Sequence, residues 1–140
     1  MNQTIKAFDY PDTLIKEYEY WVVLLRPQQI TLGSLIIAAK SEAPRLGDLD
    51  AATWSEFAVV TKEMENLMVK TFGAEKFNYL ALMMKDPNPH FHFVPRYSKP
   101  IIFNRKEYID TDWPLKTELK KIEMSPEDLN SLKSKLISGL

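Results

Sequence analysis

Between Asp50 and Gly73 the chain carries one sustained helical period. Trp54, Phe57, Thr61, Met64, Leu67 and Met68 recur at three- and four-residue spacing, which predicts a long helix with one buried face. Asp50 is placed to cap its start and Gly73 to stop it. The segments on either side are short, aromatic or β-branched, and punctuated by turn residues. Tyr18–Leu25 (YEYWVVLL) predicts a strand, broken by Arg26-Pro27-Gln28-Gln29. Gly33–Lys40 (GSLIIAAK) predicts its antiparallel neighbour. Phe77–Met84 predicts a third strand, Asp86–Pro89 a turn, and His90–Val94 a fourth strand ended by Pro95. Ile101–Phe103 predicts a short edge strand. Ser125-Pro126-Glu127-Asp128 opens a last helix running to about Ile137. The expectation is an α+β fold: antiparallel strands around one long helix, with a C-terminal helix.

At 140 residues the chain has room for a single domain with one sizeable core. Its longest apolar stretches fall far short of the ~20 residues that span a bilayer, so no membrane partner is expected. No basic start followed by an apolar run is present, and there is no cysteine. Disulfides, cysteine zinc sites and thiol catalysis are thereby excluded, and a cytoplasmic setting is expected. A net charge of −1 without a concentrated basic stripe argues against nucleic acid as a partner. The basic cluster Lys116–Lys121 alternates with Glu118 and apolar residues, as a solvated face does.

The two histidines of the chain sit two apart, in His90-Phe91-His92-Phe93-Val94. On a strand, side chains alternate between faces, so His90 and His92 share one face while Phe91 and Phe93 share the other. Paired imidazoles can serve as nucleophile and proton donor near neutral pH. A neutral imidazole attacks through one ring nitrogen only, so the other must donate its proton to a fixed acceptor; Asn88 and Ser34 are candidate polar supports. Spacing alone leaves three readings open: half-exposed polar residues, two ligands of a metal site completed by a carboxylate such as Asp86, or nucleophilic catalysis.

The stretch Asp86–Tyr97, DPNPHFHFVPRY, resembles the signature of the histidine triad family, in which three histidines alternate with apolar residues. Pro95-Arg96-Tyr97 continues it as in the diadenosine polyphosphate hydrolase-like branch. Arg26–Lys40 (RPQQITLGSLIIAAK), the helix after Leu49 and the strand at Phe77–Met84 follow the family's layout as well. The likeness covers about residues 15–105 and leaves a C-terminal extension with a helix at about 125–138.

The resemblance implies a five-stranded antiparallel sheet with a helix packed on it, in a homodimer. It also implies cleavage at the α-phosphate of a nucleotide derivative, such as a dinucleoside polyphosphate or nucleoside phosphoramidate, through a covalent nucleotidyl-histidine. His90 would be the nucleophile, and His92 would hold the phosphate and help the leaving group. No cofactor is bound by the histidines, although a divalent cation would accompany a polyphosphate substrate. Arg26 stands where relatives line the nucleotide pocket, Arg96 within reach of a phosphate, and Met84 near the family's phosphate-binding amide. The triad is incomplete, with Asn88 at its first histidine. Ser34 stands where another family histidine is usual, and Met84 cannot replace an amide. A degenerate protein that binds a nucleotide or a protein partner without turnover is therefore the alternative.

Overall fold

The computed structural model describes residues 1–140. Five strands form an antiparallel sheet: β1 (Leu14–Glu17), β2 (Trp21–Leu25), β3 (Leu35–Ala39), β4 (Lys76–Leu80) and β5 (His90–Arg96), in the order β1-β2-β3-β5-β4. A short helix α1 (Gln3–Ala7) precedes the sheet, α2 (Ala51–Phe72) links β3 to β4, and α3 (Pro126–Gly139) ends the chain. Two further strands, β6 (Ile101–Phe103) and β7 (Lys106–Tyr108), form a hairpin of their own.

The two faces of the sheet bury different things. Trp21, Val23 and Leu25 of β2, Leu35, Ile37 and Ala39 of β3, and Phe93 of β5 point to the main core. There they meet Val60, Met64, Leu67 and Met68 of α2, and Leu132 and Leu136 of α3. Asp50 accepts a hydrogen bond from Thr53 N–H at the start of α2, and Gly73 ends it in the left-handed region at φ 71°. Trp21 is fixed by its indole N–H donating to the Thr53 carbonyl at 2.7 Å, and its ring lies among Trp54, Phe57 and Phe91. On the opposite face, Val22, Leu24, Ile36 and Ala38 form a smaller cluster closed by Ile5 of α1. β5 continues that second face with His90 and His92, opposite Ala38 and Ile36 of β3.

Several elements depart from the sequence reading. The strand expected over Tyr18–Leu25 is the second half of a hairpin, in which Tyr18 N–H donates to the Trp21 carbonyl at 2.8 Å. β1 lies upstream as an edge strand with only Ile15 fully buried, so it needed no apolar run to announce it. β4 stops at Leu80 rather than Met84, and Met83 at φ 39° is out of strand geometry. β5 runs through Pro95 to Arg96. Pro95 is tolerated because the pairing with β3 ends at Phe93, so that side of the strand requires no donor there. Ile101–Phe103 is not an edge of the main sheet; Asn104 and Arg105, both with positive φ, turn it back onto β7. No helix is long and apolar enough to cross a membrane.

Candidate active site

His90 and His92 project side by side from β5, with ring centroids 5.2 Å apart. His90 Nδ1 lies 2.7 Å from the backbone carbonyl of Asn88. A carbonyl can only accept, so Nδ1 carries the proton and the lone pair of the neutral ring sits on Nε2. The turn Asp86–Pro89 makes this possible. It ends the loop before β5 and brings the Asn88 carbonyl back under the imidazole two residues on.

His92 is arranged in the opposite sense. Arg26 Nε donates toward its Nδ1 at 3.5 Å, a long contact that places the lone pair of His92 against the guanidinium. Burial pushes the His92 pKa down to about 4, with smaller contributions from His90 and Arg26. His92 is therefore neutral at pH 7. Arg26 is half-buried with no carboxylate bonded to it. Its other partner is the Gln28 carbonyl, and burial alone lowers its pKa.

The loop that carries Arg26 is heavily tied down. Arg26 N–H donates to the Ser34 carbonyl at 3.0 Å, and Gln29 Nε2 donates to the Arg26 and Ser34 carbonyls, each at 2.8 Å. Ser34 Oγ accepts from Ile30 and Thr31 N–H and donates to the Thr31 carbonyl. Ser34 thus supports the Arg26 loop rather than a histidine.

The first residues of the chain cover this face. Thr4 N–H donates to Asn88 Oδ1 at 3.2 Å, and Asn88 N–H donates to Thr4 Oγ1 at 2.9 Å. Asn2 Nδ2 donates to the Ala39 and Ser41 carbonyls, each at 2.8 Å. Phe8 follows, with its ring 5.7 Å from His90 and 6.0 Å from His92. His90 is left 2% exposed and His92 8%. A cavity of about 340 Å³ opens beside them, lined by Phe8, Asp9, Arg26, Lys85, Asp86 and His92 among others.

The candidates from sequence therefore divide. His90, His92 and Arg26 are brought together. Asn88 supports His90 through its backbone, while its side chain holds α1. Arg96 is not available to a phosphate: it is buried in an ion pair with Asp110 at 2.6 Å, and it also donates to Asn78 and to the Leu115 carbonyl. Met84 is 86% exposed on the loop before β5 and is absent from the cavity beside His92. Asn2, Thr4 and Phe8 carried no signal, because an α1 of five residues shows no readable period. No group of three or more His, Cys, Asp or Glu side chains is gathered around a common point as metal ligands would be.

No protein-family model and no curated sequence matches the chain. Solved structures do. A histidine triad (HIT) protein from Sinorhizobium meliloti superposes with a TM-score of 0.75 at 16% identity, over 100% of this chain and 96% of its own. A histidine triad protein from Marinobacter aquaeolei gives 0.73 at 19%, over 97% and 91%. A zinc-bound histidine triad family protein from Mycobacterium smegmatis gives 0.64 at 19%, over 96% and 90%. At these identities the likeness is one of fold: the chain has the fold of the histidine triad proteins.

Proposed function

We propose that this protein is a nucleotidyl hydrolase or transferase, attacking the α-phosphate of a nucleotide derivative with His90 to form a covalent nucleotidyl-histidine. The observation that carries the reading is the 2.7 Å contact from His90 Nδ1 to the Asn88 carbonyl, which commits the ring to one tautomer with its nucleophilic nitrogen free. The reading is further supported by His92 and Arg26 beside it and by the histidine triad fold. No metal is needed to activate a lone pair that the tautomer already provides.

A substrate that engages His90 also meets Phe8. The cavity touches His92 and Phe8 directly, so the way to the nucleophile passes that ring, and the ring must turn aside as a phosphate arrives. This same cover favours the second reading, a protein that binds nucleotide without turnover, since His90 is nearly inaccessible with α1 in place. Two copies pairing through the free edge of β4 and the exposed Val59 and Val69 of α2 would form the homodimer proposed with this fold.

The test is release of AMP from diadenosine tetraphosphate and from adenosine 5′-phosphoramidate, by the intact protein and by His90→Ala. The enzyme reading expects release that vanishes in the variant, with an adenylylated peptide containing His90 trapped by acid quench. AMP binding without release from either substrate would establish the non-turnover reading instead.

A further inference from the structure

Arg26 is the one charged side chain in hydrogen-bond reach of the histidine pair. It is half-buried, its backbone N–H and carbonyl are both bonded, and its side-chain partners are an imidazole nitrogen and the Gln28 carbonyl. Both acceptors are uncharged. A guanidinium removed from water without a counter-charge is costly, and an anion arriving in the cavity beside it would offset that cost. Asp9, Lys85 and Asp86 line the same cavity, yet none is bonded to Arg26.

His92 cannot share this charge. Its Nδ1 lone pair faces the Arg26 N–H, so a proton added there would point one N–H at another. Burial, with smaller contributions from His90 and the same guanidinium, already holds its pKa near 4. The remaining proton of the neutral ring can form a hydrogen bond, but a neutral imidazole is too weak an acid to hand it over. The Nδ1 proton of His90 is engaged by the Asn88 carbonyl.

From this geometry we infer that Arg26, not His92, stabilises the leaving group, so that the site is restricted to nucleotide anhydrides whose leaving group departs as a phosphate or carboxylate anion. The inference rests on the function proposed above. His90 Nε2 attacks the α-phosphorus, the bond from phosphorus to the bridging oxygen breaks, and its electron pair stays on that oxygen. The anion so formed needs no proton, because phosphates and carboxylates are stable as anions at pH 7. It is neutralised by the guanidinium. Water then attacks the phosphorus, the P–N electron pair returns to Nε2, and the proton lost by water goes to solvent. An amine leaving group fails at the first step, because it must be protonated before it departs and no acid is in place.

The test compares kcat for diadenosine tetraphosphate and adenosine 5′-phosphoramidate in the intact protein, Arg26→Gln and Arg26→Lys. The intact protein should favour the anhydride by roughly a hundredfold or more. Arg26→Gln should lower the anhydride kcat by about a hundredfold, the usual effect of losing one donor to a developing anion, and the phosphoramidate kcat by less than about tenfold. Arg26→Lys should recover much of the loss, which a merely structural arginine would not require. Equal losses on both substrates, or a phosphoramidate cleaved as fast as the anhydride, would overturn the inference while leaving the nucleotidyl-histidine reading intact. Turnover of neither substrate, with AMP still bound, would overturn both.

Discussion

Asn88→Ala separates two roles that the sequence fused. The substitution deletes Oδ1, the acceptor for the buried Thr4 N–H, and Nδ2, which makes only 3.4 Å contacts with the Glu42 and Ala43 carbonyls. The backbone is retained, and with it both the Asn88 N–H to Thr4 Oγ1 bond at 2.9 Å and the carbonyl that receives His90 Nδ1. The long contacts contribute little, so the cost is that of orphaning one buried donor, about 1–3 kcal/mol. For a chain of 140 residues that corresponds to a fall in Tm of about 4–12 °C, read by calorimetry at pH 7. Nitrogen-15 NMR of the imidazoles should still find His90 protonated on Nδ1, and any turnover should fall less than about tenfold. An unchanged Tm would refute the anchoring of α1 by this side chain. A shift of the proton to Nε2 would refute the assignment of tautomer control to the backbone.

Three other perturbations probe the same architecture. Phe8→Ala removes a half-buried ring for about 1–2 kcal/mol, less than the 3–5 of a fully buried one, and should speed acylation of His90 and His92 by diethyl pyrocarbonate, followed by mass spectrometry. Unchanged rates would mean that Phe8 does not cover the pair. Arg96→Met leaves Asp110 buried and unpaired and should cost about 3–5 kcal/mol, whereas Arg96→Met with Asp110→Leu should cost less; equal costs would contradict a buried ion pair. Because the His92 pKa falls from about 6.5 unfolded to about 4 folded, the unfolded chain binds more protons between those values. Stability should therefore decline as pH drops from about 6.5 to 4, by at most about 3 kcal/mol, and His92→Gln should flatten that part of the profile.

The sequence displayed what is repeated or spaced, and concealed what is paired across distance. The period from Trp54 to Met68 and the caps at Asp50 and Ser125 declared α2 and α3, because those signals are local. The alternation around Phe91 placed both imidazoles on one face for the same reason. β1 stayed hidden because an edge strand that buries one side chain has no pattern to show. The role of Arg96 was unreadable because its partner lies fourteen residues away, in a stretch with no regular structure. α1 was invisible for a related reason: it is held by Thr4 and Asn88, 84 positions apart, rather than by its own propensity.

Asn88 shows why substitution within a motif is weak evidence for loss of chemistry. Read by side chain, it removes an imidazole from the expected triad and puts in its place a residue occupied with holding Thr4. Read by backbone, the same position still gives His90 the acceptor it needs, since a carbonyl is present whatever residue stands there. What the site lacks is a proton donor, because His92 is held neutral against Arg26. It lacks no positive charge, because the Arg26 guanidinium supplies one at neutral pH. The chemistry left to such a site is displacement of groups that leave as anions. A committed tautomer serves a binding site as well as a nucleophile, so the adenylylated His90 peptide, present or absent, decides between the two readings.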